Sequence, residues 1–259
     1  MAVDHYARAA RGWARGAMRV YGPIAEELVD LCPHPLAGRH VLDAGAGTGA
    51  ASIVLARRGA RPVAMDLSLG MLAENVACGA MRAVSDVRVL PLRDNAVDAS
   101  VAAFVLNHVT DPHDAFVELV RVTRRGGAVL ANVFSNISKS AVRDRIDDVA
   151  IEEGWRAPDW YLEVKATATP LLGSAVAMAA VAHAAGLAQI AVEERAVDVG
   201  VTAPEDLVDY RFGQAHFTAW LDEMEPERLA GIRHRAAETI RPIMEPYRPI
   251  VVFLSAVAA

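Results

Sequence analysis

The chain has 259 residues, of which 53% are hydrophobic, 22% charged and 6% aromatic. This apolar content excludes a disordered chain, and the length suits one large α/β domain. A formal net charge of −6 disfavours nucleic acid or an anionic membrane as a partner, since both are bound by basic faces. Apolar runs stay well short of the roughly 18 to 20 residues that cross a bilayer, so we expect no membrane span.

The cysteines and the first residues bear on compartment and metal binding. Cys32 and Cys78 lack the spacing of a metal site or a redox motif, and they are the only cysteines. The first eleven residues contain charged side chains but no apolar run typical of a secretory signal. We therefore expect a cytoplasmic protein with free thiols and no metal, acting as a monomer or homodimer.

The first predicted element is helical. Apolar residues recur at spacings of three, four and seven over residues 5–31, which predicts helix. Gly22-Pro23 interrupts this pattern and predicts a break between two helices. We expect residues 1–39 to form an N-terminal helical lid segment, followed by the main domain over residues 40–259.

From residue 40 onward, short apolar runs alternate with helical stretches. The predicted strands are 40–44, 61–65, 87–90, 98–106 and 128–134, and the predicted helices between them are 49–58, 69–78 and one that begins at Asp111-Pro112 and ends at Gly126-Gly127. Continuously apolar strands with short connections are typical of parallel strands covered on both faces. The pattern predicts a doubly wound α/β domain.

The alternation ends after residue 134. The sequence predicts a helix over 171–185, a strand over 187–199, helix over 204–240 and a last strand over 250–256. The four tryptophans lie outside the predicted strands, at Trp13, Trp155, Trp160 and Trp220. We therefore expect lid insertions at about 135–170 and 203–247.

The most informative motif is VLDAGAGTG at residues 41–49, a strand that turns through a glycine-rich loop into a helix. Glycines permit positive φ and let a ligand lie against backbone at a helix N-terminus. Gly45, Gly47 and Ala50 also fit the dinucleotide fingerprint of a nicotinamide-dependent oxidoreductase. Asp43 disfavours that interpretation, because its carboxylate would repel a pyrophosphate and suits a ligand with a cationic ammonium and sulfonium.

Two further acidic residues favour an adenosine ligand. Asp66 ends the second predicted strand, where a carboxylate can bind both hydroxyls of a ribose. Asp86 precedes the third predicted strand and can accept from an adenine amino group while Val87 covers the ring.

This ordered set resembles the class I S-adenosylmethionine-dependent methyltransferases, in particular the small-molecule group typified by the ubiquinone/menaquinone-biosynthesis methyltransferases. The resemblance extends over residues 41–134 and is carried by the glycine loop, Asp66-Leu67-Ser68, Met71-Leu72, the segment 90–98, FVLNHV at 104–109 and Arg125-Gly126-Gly127. Two positions depart from the family pattern. Ser85 replaces the usual glycine before the third acid, and Asn107-His108 replaces a common His-His pair.

The resemblance implies a Rossmann-like doubly wound sheet of seven strands, the last one antiparallel, and S-adenosylmethionine as the cofactor. It implies that Asp43 and the Gly45 to Gly47 backbone hold the methionine part, Asp66 the ribose, and Asp86 with Val87 the adenine. The full predicted cofactor-binding set is Asp43, Ala44, Gly45, Gly47, Asp66, Leu67, Met71, Asp86, Val87 and Phe104.

His108 is the candidate catalytic residue. An imidazole with an ordinary pKa near 6.5 suits a general base close to the methyl group. The alternative, which the sequence favours, is that His108 only caps or packs the turn before the Asp111 helix. Methyl transfer is an in-line displacement for which proximity can suffice.

A group of rings outside the sheet has two interpretations. They line a substrate pocket, or they form ordinary buried helix faces, and for each ring alone core packing is favoured. The group consists of Trp155, Trp160, Tyr161, Phe212, His216, Phe217 and Trp220.

These observations predict a methyltransferase that acts on a small-molecule acceptor in a bacterial biosynthetic or secondary-metabolite pathway. Two alternatives stay open. One is a protein that binds S-adenosylmethionine but catalyses cyclisation or rearrangement, or has a regulatory role. The other, less favoured, is a nicotinamide-dependent oxidoreductase.

Overall fold

A computed structural model describes residues 4–75 and 80–259. Within these residues one sheet contains seven strands: β1 (His40–Ala44), β2 (Arg61–Asp66), β3 (Met81–Val84), β4 (Val97–Ala103), β5 (Thr123–Phe134), β6 (Leu187–Ala196) and β7 (Ile250–Ala258). The order is β3-β2-β1-β4-β5-β7-β6. Strands β1 to β5 pair in parallel, and β7 is antiparallel to both β5 and β6. The predicted Rossmann-like sheet with an antiparallel last strand is confirmed.

Helices cover both faces of this sheet. They are α1 (Ala10–Gly12), α2 (Met18–Asp30), α3 (Ala50–Arg57), α4 (Leu69–Glu74), α5 (Pro112–Val122), α6 (Ala141–Glu152), α7 (Asp159–Thr167), α8 (Ala175–Ala184), α9 (Pro204–Phe212), α10 (Ala215–Asp222) and α11 (Pro226–Ile240). One core lies between the sheet and α2, α3, α6, α9 and α11, and the other lies beneath α5 and α8. The ligand cleft is thereby left to the carboxyl ends of the strands.

The predicted break at Gly22-Pro23 is wrong. Helix α2 continues through Pro23, and the irregular turn comes earlier, as a π-helical turn over Trp13–Ala17. A proline inside a helix removes one hydrogen bond, but packing outweighs this cost here. The side chains that stabilise α2 against the core are fully buried: Val20, Ile24 and Leu28.

The third strand is also misplaced in the sequence prediction. Strand β3 occupies Met81–Val84, so Asp86 follows it instead of preceding it. Residues 87–90 form a loop in which Val87 and Leu90 are buried in the core, whereas Val89 is exposed. Because β3 is an edge strand with largely exposed side chains, it lacks the apolar run that marks a buried strand.

Strands β4 and β5 have different limits from those predicted. Strand β4 ends at Ala103, because Phe104 adopts a φ of +56° and a 3₁₀ turn follows over Leu106–His108. Helix α5 ends at Val122, not at Gly126-Gly127, and β5 begins directly afterwards. The double glycine lies inside the strand, where Gly126 has a φ of +71°.

The remaining boundaries shift by smaller amounts. The helical region predicted over 204–240 is three helices, α9 to α11, and α8 begins at Ala175 instead of 171. Helix α4 ends at Glu74, and Cys78, in the predicted remainder of that helix, lies outside the described residues. In the part of the chain that the structure describes, no single helix is long and apolar enough to cross a membrane, and only α7 with its following turn (Asp159–Leu171) and α8, bent by 77°, meet that requirement as a pair.

Candidate active site

The glycine loop between β1 and α3 forms the floor of the cleft. Gly45, Gly47 and Gly49 have φ values of +68°, +52° and +97°, which side chains rarely adopt. A Cβ at Gly45 would overlap the Val105 side chain. The loop is held against β2, because the N–H groups of Gly45 and Ala46 donate to the Met65 carbonyl at 2.7 and 2.9 Å. A ligand can therefore approach bare backbone here.

Asp43 is buried beneath this loop with one oxygen unpaired. Its Oδ2 accepts a hydrogen bond from Ser52 Oγ at 2.6 Å. Its Oδ1 has no partner among the described residues, and neither has the buried hydroxyl of Thr48. Burial raises the pKa of Asp43 to about 6. A buried carboxylate oxygen without a donor is costly, so this position suits a ligand that supplies one.

Asp66 lies at the end of β2, beside the same loop. Its Oδ2 accepts from the Gly47 N–H and its Oδ1 from the Ser68 N–H, both at 2.8 Å. Burial raises its pKa, and the two backbone bonds oppose that shift. These bonds fix the orientation of the carboxylate, and each oxygen keeps a lone pair for a further donor.

Three predicted residues adjoin these carboxylates in different ways. Leu67 exposes 64% of its surface next to Asp66, so it offers an apolar face to a ligand. Met71 is buried, and its Cε would lie 3.3 Å from a Cβ at Gly47, which makes it a support for the loop. Ala44 is also buried and contributes through its backbone.

The side chains of the remaining three predicted cofactor residues are paired with or packed against other protein groups. The Asp86 carboxylate is bound by Arg88, with Oδ2 at 2.6 Å from Nη2 and Oδ1 at 3.0 Å from Nε, and this pairing lowers its pKa. Val87 is buried in the core. The Phe104 ring packs between Tyr21 and Phe134, with centroid distances of 4.9 and 4.5 Å. Their roles toward a cofactor stay predictions.

His108 faces the cleft from the 3₁₀ turn after β4. Its Nδ1 lies 3.1 Å from the hydroxyl of Tyr6. The His108 side chain is partly exposed. The protein groups around it nevertheless desolvate the ring, and this desolvation, together with the charge of Lys165, lowers the pKa of His108. The imidazole is therefore neutral near pH 7, which is the state that a general base requires. Its role as a base stays a prediction.

The first described residues of the chain lie across the cleft. The His5 ring stacks on Trp160 of α7 at 4.7 Å, and Tyr6 meets the edge of the same indole at 6.0 Å. Ala7 lies against α4, since a Cβ at Gly70 would be 2.7 Å from its Cα. This N-terminal segment therefore connects α4, α7 and His108.

The predicted ring group divides into core and cleft residues. Trp155, Phe212 and Phe217 are buried, and Trp220 packs against them, so the core interpretation holds for these four. Trp160 and Tyr161 lie near the cleft. His216 is 5% exposed and stacks on Tyr161 at 3.9 Å, while its Nε2 has no partner among the described residues.

Several residues at the cleft escaped the sequence analysis. They are Tyr6, Ser52, Arg143, Lys165 and Arg211. One weak signal existed: Lys165 is one of two lysines among 26 basic residues. The others are unremarkable in type and become neighbours only through the fold.

The fold and the glycine loop have counterparts in known proteins. A family model described as "Methyltransferase domain" matches residues 42–131. These residues, about a third of the chain, are therefore similar to a methyltransferase domain. Demethylmenaquinone methyltransferase of Mycolicibacterium paratuberculosis is 39% identical over 103 residues, 40% of this chain and 45% of the relative. That of Clavibacter sepedonicus is 38% identical over 122 residues, 44% and 48% of the two chains. The chain thus spans about half the length of these curated relatives.

Solved structures share the fold of the methyltransferase domain. A putative methyltransferase of Haloferax volcanii, in complex with the Trm112 activator, has a TM-score of 0.63 at 20% identity and covers 100% of this chain and 99% of its own. Haemonchus contortus phosphoethanolamine N-methyltransferase 2 has a TM-score of 0.57 at 17% identity, covering 90% and 52%. The [4+2]-cyclase SpnF has a TM-score of 0.57 at 19% identity, covering 90% and 79%.

Proposed function

We propose that this protein binds S-adenosylmethionine and transfers its methyl group to a small-molecule acceptor. The observation that carries the proposal is the unpaired, buried Oδ1 of Asp43 beneath a glycine loop, with Asp66 at the end of the adjacent strand. The methyltransferase domain match and the named relatives support it.

Asp43 would accept a hydrogen bond from the ammonium group of the methionine part, next to the backbone of Gly45 and Gly47. Asp66 would accept from the ribose hydroxyls, and the exposed face of Leu67 would lie against the adenosine. When bound, the cofactor supplies a methyl group made electrophilic by its sulfonium. The acceptor's lone pair forms the new bond, the electrons of the broken S–C bond go to sulfur, and S-adenosylhomocysteine is the second product.

His108 would receive the proton that the acceptor loses. Its neutral imidazole lies at the carboxyl end of β4, with Tyr6 holding Nδ1. An acceptor that is already deprotonated would need no base, and His108 would then only orient the N-terminal segment.

The lid segments, at residues 1–39, about 135–170 and 203–247, would determine which acceptor binds and exclude water.

We further propose a bacterial biosynthetic or secondary-metabolite role, in the cytoplasm, for a monomer or homodimer. The bacterial origin of the demethylmenaquinone methyltransferases supports the first part. The half-buried free thiol of Cys32 supports a reducing compartment.

Calorimetric titration with S-adenosylmethionine, S-adenosylhomocysteine and NAD tests cofactor choice. We expect both sulfur compounds to bind and NAD not to bind. Asp43→Asn should weaken S-adenosylmethionine at least tenfold, because the ion pair with the ammonium is lost. Asp98→Asn is the matched control, since Asp98 lies at the amino end of β4 and pairs with Arg39. Binding of NAD alone would overturn the proposal in favour of an oxidoreductase.

A turnover assay separates methyl transfer from other uses of the cofactor. The fold likeness to a [4+2]-cyclase makes this comparison necessary. We expect S-adenosylhomocysteine to accumulate in proportion to a methylated product. A product that forms while S-adenosylmethionine stays intact would instead establish cyclisation or rearrangement.

A further inference from the structure

Four helices that follow β5 bring basic side chains together at the cleft. They are α6, α7, α9 and α10, and they contribute Arg143, Lys165, Arg211 and His216, respectively. We call these four residues the cationic pocket.

One side of the cationic pocket is fixed by an ion pair. Arg211, with a side chain only 6% exposed, donates from Nε and Nη2 to the two carboxylate oxygens of Asp147, each at 2.6 Å. Asp147 lies one turn after Arg143 on α6, so the two share a helix face. The face of α6 that carries Arg143 is therefore the face that contacts Arg211.

Ring contacts join this side to Lys165. Arg211 Cζ lies 5.0 Å from the centre of the Phe217 ring, and the His216 ring lies 4.5 Å from the same ring. His216 in turn stacks on Tyr161. Lys165 is one turn after Tyr161 on α7 and thus on the same face. In agreement, desolvation and, to a smaller extent, the charges of Arg143 and Arg211 lower the pKa of Lys165.

The charges in the cationic pocket do not balance. Asp147 neutralises Arg211, but the salt bridge of Arg143 is a 3.6 Å contact with the exposed Asp144. Lys165 forms no salt bridge with any described residue. His216 is buried with Nε2 unpaired, and burial with the nearby cations keeps its ring neutral by lowering its pKa. Arg143 has only this long contact with an exposed carboxylate, Lys165 is an exposed cation, and His216 Nε2 is a buried ring nitrogen without a partner among the described residues. Together these groups can bind an anion.

Ring contacts connect the cationic pocket to the acceptor side of the cleft. Tyr161 meets Trp160 edge-on at 6.0 Å, Trp160 meets Tyr6, and the Tyr6 hydroxyl reaches His108 after β4. Asp43 and Asp66, which we assign to the cofactor, lie at β1 and β2 on the other side. An anion in the cationic pocket is therefore part of the acceptor.

We propose that the methyl acceptor is an organic oxyanion, a carboxylate or phosphate ester, whose charge is bound by Arg143 and Lys165 and hydrogen-bonded by His216 Nε2. The surrounding rings hold its apolar or aromatic body. The inference rests on the proposed methyl transfer, which makes this space an acceptor site. Binding the charge away from the methyl group leaves the nucleophilic atom free to face it.

The test measures anion preference on protein saturated with S-adenosylhomocysteine. Benzoate and phenyl phosphate are the anionic probes, and benzamide is the neutral probe of the same shape. We expect at least one anion to bind tenfold or more tightly than benzamide, with an affinity that falls as salt is added. The two anions compared with each other show whether carboxylate or phosphate is preferred. Equal affinity for benzoate, phenyl phosphate and benzamide would overturn the proposal.

Single-residue variants show which side chains cause the preference for anions. Lys165→Met and Arg143→Gln should each weaken the preferred anion about tenfold and leave affinity for S-adenosylhomocysteine unchanged. The matched controls are Lys139→Met, at an exposed residue of the preceding loop, and Arg145→Gln, at a half-buried residue of the same helix. Loss of S-adenosylhomocysteine affinity in Lys165→Met would overturn the proposal, since the cations would then bind the cofactor's carboxylate. If the unmodified protein fails to bind S-adenosylhomocysteine, the proposed function fails instead, and titration without it still measures the anion preference.

Discussion

The two sides of the cleft carry opposite charge and are built differently. At β1 and β2, two carboxylates lie within 24 residues of sequence: Asp43 is held by the Ser52 hydroxyl, and Asp66 by the backbone N–H groups of Gly47 and Ser68. At α6, α7, α9 and α10, three cations and a neutral histidine come from four separate helices, which are joined by the Asp147–Arg211 ion pair and the Tyr161–His216 stack. The first side is fixed by local backbone geometry, and the second exists only when the helices after β5 have packed.

Within the second side, one cation is paired and another is not, and this distinction predicts the largest effect. Arg211→Met should lower the free energy of unfolding by about 3 to 5 kcal/mol, because it leaves Asp147 without its partner. Lys165→Met should change it by less than about 0.5 kcal/mol, since no described ion pair is broken. Urea denaturation measures both. If both variants lose the same free energy of unfolding, Lys165 has a structural partner, and the distinction between a paired Arg211 and an unpaired Lys165 is wrong.

Replacing a loop glycine tests whether the first side depends on backbone shape. Gly45→Ala should cost about 2 kcal/mol, because the residue has a φ of +68° and its Cβ would overlap Val105. S-adenosylmethionine affinity should fall with it. Gly231→Ala, in the middle of α11 with open space around it, should instead gain roughly 0.5 to 1 kcal/mol. Thermal unfolding compares the two, and a neutral Gly45→Ala would refute the argument from shape.

The acidic side should also respond to pH. Folding raises the pKa of Asp43 to about 6 from the 3.8 of a free carboxyl, so the folded state binds the proton more tightly. The Asp43 contribution to the free energy of unfolding therefore falls as pH rises from about 4 to 6. A cationic ligand favours the ionised form, so S-adenosylmethionine affinity should rise with pH, up to about tenfold per unit, and level off above pH 6. Asp43→Asn should remove this dependence in calorimetry; its persistence would assign the titration to another group.

The smallest effect concerns the segment that joins the two sides. Tyr6→Phe removes one hydrogen bond to His108, worth about 1 kcal/mol. Trypsin should then cleave after Arg8 and Arg11 about fivefold faster, because the segment opens more often. Unchanged cleavage would show that the His5 stack on Trp160 alone holds it.

The difference between the sides also explains what could be predicted from sequence. The run from Asp43 to Gly49 has a glycine wherever the chain needs positive φ, so the loop and its neighbouring carboxylates are visible as a motif. Arg143 and Lys165 carry no such signal. Their proximity depends on the Asp147–Arg211 ion pair and the Tyr161–His216 stack, which join helices far apart in sequence.

The same limit on prediction from sequence holds for the secondary structure. Buried parallel strands such as β1 and β2 could be located within a residue, because an apolar run marks them. Edge strand β3 could not, since its side chains face solvent while the apolar Val87 belongs to a loop. The break predicted at Pro23 is wrong for a related reason. Burial of the apolar side chains of α2 stabilises the helix by more than the proline destabilises it.

The position of β7 has a consequence for the order of folding during synthesis. Among the described strands, β6 has no sheet neighbour other than β7, although residues 250–258 are made much later than residues 187–196. The five parallel strands and the glycine loop are complete by Phe134 and can pair as the nascent chain emerges. Until β7 is inserted, the backbone N–H and C=O groups on both edges of β6 are unpaired. This makes β6 the segment most exposed to aggregation or chaperone binding.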